Sequence, residues 1–138
     1  MSTTHWSEQY IGIPFMMHGR SIKAADCWGL ARIVLMEQFG IFLPSFDHSG
    51  QEFTPETNFK AIAQAKLELP VTPTDEPKEG DLVLMKFQGL SAHIGIYCVV
   101  DGVPMVLHSD PVGHSTSRLS RLTDGSIVTR LEGFYRVD

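Results

Sequence analysis

Cysteine is scarce in this sequence, and the common metal-binding patterns are missing. Cys27 and Cys98 are the two cysteines among 138 residues, and neither lies in a CxxC pair. An HExxH sequence is also absent. One cluster, His108-x-Asp110-x-x-x-His114, has metal-binding residue types but lacks the geometry of a dedicated site. We therefore expect no bound metal and no other cofactor.

The chain also lacks long hydrophobic runs and an excess of positive charge. No stretch approaches the roughly 18 apolar residues of a membrane span. The net charge of −5 disfavours broad binding to nucleic acid or to an anionic membrane. The first residues, MSTTHWSEQY, lack the basic start and apolar core of a signal peptide. We expect a protein made in the cytoplasm, with no nucleic-acid or membrane partner and, because that compartment is reducing, no disulfide.

The residues that are present are typical of one globular domain. Hydrophobic residues make up 43% of the chain and charged residues 20%. A chain of 138 residues buries about 68% of its unfolded surface, enough for a core without a disulfide or a metal. Helical periodicity comes first and strand alternation later, so we predict a single α+β domain over residues 1–138.

The clearest predicted element is an apolar helix. Asp26 is a good N-cap, Gly40 is a typical C-terminal stop, and the segment Cys27–Phe39 between them is almost entirely apolar. A helix this apolar is covered by other elements on most of its sides. We therefore predict that it packs in the middle of the domain.

Weaker signals predict the remaining elements. Trp6, Tyr10 and Ile13 recur at helical spacing. We predict loops at residues 16–25 and 43–54, a surface helix at 55–69, and a proline-containing connector at 70–80. Alternation of period two then predicts strands at 81–87, 92–100, 103–108, 126–131 and 134–137.

A hairpin turn is predicted at Asp101-Gly102, and it fixes which residues face each other. It pairs residues whose numbers sum to 203, so Gly95 lies opposite His108. His93 and His108 then share a face as diagonal neighbours, about 7 Å apart at Cβ, with Gly95 leaving open space between their rings. Cys98 points to the other face, where we expect it to pack as a small core residue.

Cys27, at the start of the apolar helix, has two interpretations. It can pack as a small hydrophobe, or it can be a nucleophile whose thiolate is stabilised by the N–H groups and dipole of the helix N-terminus. A cysteine nucleophile needs a base and a group that orients the base, and His93 with His108 would supply both. The residues by themselves leave both interpretations open.

Motifs in a fixed order resemble those of the NlpC family, a group of papain-like cysteine peptidases that act on cell-wall peptides. The resemblance implies a papain-like fold, in which N-terminal helices include a central nucleophile-bearing helix packed on an antiparallel β-sheet. The motifs are Asp26-Cys27-x-Gly29-Leu30, Glu79-Gly80-Asp81-Leu82-Val83 and Ala92-His93-Ile94-Gly95-Ile96, preceded by Tyr10-Ile11-Gly12-Ile13-Pro14-Phe15.

The same resemblance implies a reaction and a catalytic triad. The reaction is hydrolysis of peptidoglycan stem peptides, typically beside γ-D-glutamyl in its link to a diamino acid. Cys27 would attack the carbonyl, His93 would act first as base and then as acid, and His108 would orient His93. Asp26 would lie near the free amine of the substrate.

Further substrate contacts are expected around the cysteine loop. Phe15 stands where many relatives carry a tyrosine near the oxyanion, and Trp28 stands where wall hydrolases usually carry a serine. Both would line the substrate site. His18 and Arg20 precede Cys27 in the loop and are candidates for its rim.

Two stretches, GIPFMMHGR…DCWGL and GFYR, resemble phage tail-tip members of the family. They imply a phage or prophage tail component that opens the wall locally, with other tail-tip proteins as partners and the virion tail as its location. One alternative is a tail-assembly module that keeps the fold without the activity. Another is a thiol amidase or acyltransferase that acts on a different amide or on a lipid.

Overall fold

A computed structural model of the chain describes residues 5–16, 20–44, 69–87, 90–109 and 116–137. Two short strands and a long helix come first, and most strands follow. The elements are a 3-10 helix Trp6–Tyr10, β1 Arg20–Ser21, β2 Ala24–Ala25, α1 Cys27–Phe39, β3 Val71–Thr74, β4 Leu82–Phe87, β5 Leu90–Val100, β6 Val103–Ser109, β7 Ser117–Arg121, α2 Gly125–Val128 and β8 Leu131–Val137.

In the described residues, the main packing is between helix α1 and a six-stranded antiparallel sheet, and β1 and β2 form a separate two-stranded sheet. Six strands form the sheet in the order β3-β8-β4-β5-β6-β7, and every neighbouring pair is antiparallel. Helix α1 packs against β5 and β6. The predicted α+β architecture, with a central helix on an antiparallel sheet, is confirmed. No helix within the described ranges is long and apolar enough to cross a membrane.

Helix α1 begins and ends where its capping residues predict. The Asp26 carboxylate accepts a hydrogen bond of 2.7 Å from the Gly29 N–H, which would otherwise lack a partner at the helix N-terminus. Gly40 adopts the left-handed conformation, with φ of 66°, and its N–H bonds to the carbonyl of Met36. The helix buries most of its side chains against the sheet, as its composition predicts.

The hairpin β5–β6 has the predicted turn and register. Asp101 and Gly102 have φ of 51° and 77°, and a type I′ turn requires both values to be positive. Val100 pairs with Val103 at the turn, and the same register continues along the two strands. This register places the histidine-bearing ends of β5 and β6 side by side.

One predicted connector is wrong in part, because residues 71–74 form strand β3. Pro73 lies in this strand and cannot donate a backbone hydrogen bond. The strand tolerates it because β3 is at the edge of the sheet and pairs with β8 alone. A proline in the sequence therefore did not exclude a strand here.

Two other predictions near the C-terminus and the cysteine loop are wrong. The predicted strand at 126–131 is replaced by the short helix α2, which is capped by Asp124 and buries Ile127, while β8 begins at Leu131. Strand β7 was not predicted, and the loop at 16–25 contains the small hairpin β1–β2.

The predicted helix at 55–69 lies almost entirely outside the described residues, as does most of the loop at 43–54.

Candidate active site

The predicted histidine pair forms in the interior of the protein. His93 is 2% exposed and His108 is fully buried. The Nε2 atom of His93 lies 2.9 Å from Nδ1 of His108, and the two rings meet edge to face with an interplanar angle of 71°. This distance is that of a hydrogen bond, so the prediction that the two histidines are neighbours on one face is confirmed.

Gly95 permits this pairing by a different mechanism from the predicted one. A Cβ atom on Gly95 would lie 2.5 Å from Cγ2 of Val106 and 3.1 Å from Cβ of His108. The expected open space is therefore not present, because side chains of β6 fill it. Gly95 is needed so that β5 and β6 can approach each other closely at this point.

A serine that was not predicted extends the histidine pair. The Nε2 atom of His108 lies 3.0 Å from Oγ of Ser120, on the neighbouring strand β7. Three side chains therefore form a continuous chain of hydrogen bonds across three strands. The sequence Ser117–Arg121 has a weak alternation that could have indicated a strand, but no local signal connects Ser120 with His108.

Cys27 lies at the end of the hairpin that carries the histidines. It is the first residue of α1 and is 6% exposed. The hydroxyl of Ser109, the residue after His108, donates a hydrogen bond of 3.2 Å to the carbonyl of Ala25. This bond connects the end of β6 with the loop that leads into Cys27.

The opposite end of α1 fixes the direction of the helix. The ring of Phe39 covers Gly80, and its Cε1 would lie 2.9 Å from a Cβ atom placed there. The N–H of Gly80 bonds to the carbonyl of Tyr97, beyond His93 toward the turn. The helix therefore runs along the hairpin from the histidine end toward the turn, and its positive N-terminal end is at the histidine end of the hairpin.

The loop before Cys27 is held by backbone hydrogen bonds. The Ala25 N–H donates to the carbonyl of Pro14, and the Ser117 N–H donates to the carbonyl of Ile13, at 3.0 and 2.8 Å. These bonds attach the segment around Pro14 both to the cysteine loop and to β7. A site between these elements is therefore held by rigid parts of the fold.

The predicted substrate residues have different surroundings. Asp26 is 7% exposed and uses one carboxylate oxygen to cap α1. Trp28 is buried in the core, and its indole N–H donates a hydrogen bond of 2.8 Å to the carbonyl of Pro44. Phe15 is half-buried beside the cysteine loop. Contact of any of them with substrate stays a prediction.

The two rim candidates are less well defined. Arg20 begins β1, where its backbone pairs with Ala25. His18 lies outside the described residues, as do Asp110 and His114 of the cluster considered for a metal. Within the described part of the chain, no group of three or more histidine, cysteine or acidic residues could hold a metal ion.

Cys98 is a core residue, as predicted. It is fully buried on the face of the sheet that α1 covers, and it forms no disulfide. Burial, with a smaller contribution from the charge of Glu79, raises the pKa of its thiol to about 12. Cys98 is therefore a neutral thiol at physiological pH, whereas Cys27 begins α1, after the loop that the Ser109 hydroxyl bonds to.

The arrangement is suited to proton transfer. A neutral imidazole carries one N–H and one lone pair, so a bond between Nε2 of His93 and Nδ1 of His108 leaves Nδ1 of His93 to exchange a proton elsewhere. A buried pair of this kind holds the ring in one orientation. The described residues thus include a hydrogen-bonded histidine pair and a thiol at a helix N-terminus.

Comparison with known proteins gives a family for this chain. The NlpC/P60 family model matches residues 12–131. The protein named murein DD-endopeptidase MepS/murein LD-carboxypeptidase from Escherichia coli strain K12 is 29% identical over 86 residues, and the match covers 62% of this chain. Proteins of the same name from Escherichia coli O6:H1 and O157:H7 match equally well. The match spans 38% of the length of these relatives.

Solved structures have the same fold. The NlpC/p60 domain of the peptidoglycan hydrolase SagA superposes with a TM-score of 0.58 at 18% identity, covering 96% of this chain and 92% of that domain. A lipoprotein-like NLP/P60 family protein from Staphylococcus aureus Mu50 has a TM-score of 0.56 at 22% identity, covering 95% of this chain and 38% of that protein. Because the family match covers most of the sequence and includes Cys27, His93 and His108, the chain belongs to the NlpC/P60 family.

Proposed function

We propose that this domain is a cysteine peptidase that cleaves the stem peptides of peptidoglycan. The observation that carries the proposal is the buried His93–His108 hydrogen bond at the end of the hairpin where α1 begins with Cys27. A scaffold protein has no physical need for a buried polar pair beside a helix that starts with cysteine. The names of the relatives, a murein endopeptidase and a peptidoglycan hydrolase, support the choice of substrate.

The reaction follows from the roles of three side chains. Nδ1 of His93 takes the proton of the Cys27 thiol, and the sulfur attacks the scissile carbonyl. The tetrahedral intermediate collapses to a thioester as His93 gives the proton to the leaving amine. Water, deprotonated by His93, then hydrolyses the thioester and restores the thiol. His108 keeps the His93 ring in position through both steps.

The oxyanion of the intermediate requires hydrogen-bond donors. The backbone N–H of Cys27, in the first turn of α1, is one such donor. Phe15 has no polar group, so its side chain cannot supply the donor that a tyrosine at that position would provide. We propose that a second donor comes from another group near the cysteine loop.

The bond that is cleaved and the biological setting are finer parts of the proposal. The bond is the one between γ-D-glutamyl and a diamino acid, in keeping with the family resemblance. The setting is a phage or prophage tail, where the domain would act beside other tail-tip proteins. The Escherichia coli relatives carry the names of two other activities, so product identity has to decide between these bonds.

Digestion of purified peptidoglycan tests the activity. We expect the wild-type chain to release peptide fragments, and we expect Cys27→Ala and His93→Ala to reduce release by at least 1,000-fold, because each removes a member of a triad. Mass spectrometry of the fragments identifies the bond. Alkylation of Cys27 by iodoacetamide is an assay that needs no substrate, and Cys98 should not react in it because it is fully buried and its thiol pKa is raised to about 12.

Three results would contradict the proposal. One is fragment release from the Cys27→Ala variant at the wild-type rate. Another is an alkylation profile with the ordinary thiol midpoint near pH 8.5 that does not change in His93→Ala, in protein that is shown to be folded. The third is a folded wild-type protein that releases no fragments, which would indicate the assembly module.

A further inference from the structure

Both nitrogens of the buried His108 ring have hydrogen-bond partners. Nδ1 faces His93 at 2.9 Å, and Nε2 faces the hydroxyl of Ser120 at 3.0 Å. A neutral imidazole can donate from one nitrogen only. The direction of the bond to Ser120 therefore decides the direction of the bond to His93.

Two arrangements satisfy all three side chains. In the first, Nε2–H of His108 donates to Ser120, and Nδ1 of His108 accepts from Nε2–H of His93. In the second, every bond runs the other way, and the proton of neutral His93 sits on Nδ1. Only the first leaves a lone pair on Nδ1 of His93, the nitrogen that can accept a proton from a thiol.

The first arrangement also suits the charged state of His93. After it takes a proton, the imidazolium must donate from both nitrogens, and Nδ1 of His108 must accept. In the first arrangement no proton in the chain has to move and no ring has to turn. In the second arrangement, the hydrogen bonds of both His108 and Ser120 would have to reverse their donor and acceptor roles before His93 could act as the base.

We propose that Ser120 is a positioning residue that holds His108 as the Nε2–H tautomer and so keeps Nδ1 of His93 available as the base. The inference rests on the proposed peptidase function and adds a fourth residue to it. Ser120 acts through His108 and touches no substrate atom. In the proposed arrangement its hydroxyl, 3.0 Å from Nε2 of His108, accepts the hydrogen bond and ends the chain across β5, β6 and β7.

Charged groups lie on the strands around His108. Among the described residues, Arg118 on β7 pairs directly with His108 in the register and so shares its face. Asp124, in the turn that leads into α2, has a carboxyl pKa lowered by hydrogen bonds from Ser126 and more weakly by the charge of Arg118. Other titratable groups of the described residues toward this end include His93 on β5 and Asp26 and Cys27 at the start of α1.

Three variants test the role of Ser120. Ser120→Ala removes the acceptor, and Ser120→Thr keeps a hydroxyl at the same atom. Thr123→Ala is a matched control that deletes an exposed hydroxyl in the turn after β7. Thermal unfolding measured on each variant establishes that the protein compared is folded.

The expected result is a loss that the conservative variant restores. In Ser120→Ala, we expect kcat on peptidoglycan fragments and the rate of Cys27 alkylation at neutral pH to fall about 3- to 10-fold, the effect of one neutral hydrogen bond, with KM unchanged. Ser120→Thr should recover most of the loss, and Thr123→Ala should match the wild type. Nitrogen NMR of the histidine rings should show His108 as the Nε2–H tautomer in the wild type and a mixture of tautomers in Ser120→Ala.

The outcomes separate this inference from the peptidase proposal. An active wild type whose alkylation, kcat and histidine tautomers are the same in Ser120→Ala overturns the role of Ser120 and leaves the peptidase intact. A wild type with no activity and an ordinary thiol overturns the peptidase itself. If Ser120→Ala fails to fold, Ser120→Cys, which nearly keeps the volume but accepts hydrogen bonds weakly, takes its place with the same expectations. A folded Ser120→Thr that shows the full loss also overturns the role.

Discussion

Gly95 lies beside the histidines, where any side chain would collide with the neighbouring strand. An added Cβ atom would meet both a side chain and the Leu107 carbonyl oxygen, the latter at 3.0 Å, and a backbone atom cannot move without shifting β6. The shift would move Leu107, the residue before His108 in β6. The geometry of the histidine pair therefore depends on the absence of a side chain at position 95.

Substitution of this glycine gives a prediction at the scale of one residue. We expect Gly95→Ala to destabilise the protein by about 1–3 kcal/mol, the usual cost of overpacking, and to reduce activity further by moving His108. Gly125→Ala is the matched control, because a Cβ atom there meets nothing within 4 Å. Thermal or urea unfolding measures the difference. Equal stability of the two variants would show that the close approach at Gly95 is not a constraint.

Among the elements, the hairpin β5–β6 has the largest effect on the site, because its register brings the histidines together. The register is set at the turn, where Asp101 and Gly102 both have positive φ. Asparagine and glycine adopt this conformation readily, whereas other residues do so at a cost. The turn and the histidines lie at opposite ends of the hairpin.

The turn gives a prediction at the scale of the element. Gly102→Ala should reduce the free energy of unfolding by about 1 kcal/mol, because a Cβ atom at φ of 77° is strained even though it meets nothing within 4 Å. Asp101→Asn should leave stability unchanged or slightly higher, since Asn-Gly is the preferred sequence for this turn. Urea unfolding with a constant m-value measures both. A neutral Gly102→Ala would mean that the turn does not stabilise the register.

Across the whole molecule, Glu79 connects three distant segments. Its carboxylate accepts hydrogen bonds from the rings of His5 and Trp6, at 2.7 and 3.1 Å, and from the backbone N–H of Val99 at 3.0 Å. The N-terminal 3-10 helix, the connector before β4 and the end of β5 are thus joined at one side chain. This group lies at the turn end of the hairpin, away from the site.

The same carboxylate gives a prediction for the stability of the whole protein in acid. Burial alone would raise the pKa of Glu79, but the hydrogen bonds from His5, Val99 and Trp6 and the charge of His5 together lower it below 4.5. A carboxyl whose pKa is lower in the folded than in the unfolded protein stabilises the fold at pH values above its unfolded-state pKa. This stabilisation is lost as the pH falls through its folded-state pKa. Stability should therefore decline below about pH 4.5.

Glu79→Gln tests this pH dependence. At pH 6 we expect the variant to be less stable than the wild type by about 1 kcal/mol or less, because the pair is partly exposed. At pH 3 the difference should shrink, since the wild-type carboxyl is then largely protonated. Thermal unfolding from pH 3 to pH 7 measures it, with Glu76→Gln as the control on an exposed residue. A difference that stays constant with pH would rule out the carboxylate charge as its cause.

Helix α1 and the hairpin were predictable because local chemistry specifies them. Asp26 and Gly40 are caps that act within one turn of the helix, and Asp101-Gly102 determines a turn by its own φ angles. From that turn, strand alternation was enough to place His93 beside His108. The family motifs predict the role of Cys27, which the residues by themselves left open.

The sequence by itself therefore determined the helix, the hairpin and the histidine pair, and the tertiary structure alone decided the rest. Strand β3 contains Pro73, and only its edge position makes that proline harmless. Strand β7 is five residues long, and only its pairing with β6 brings Ser120 to His108. The physical reason is that caps and tight turns act between neighbours in sequence, whereas edge position and cross-strand bonds exist only once distant segments have paired.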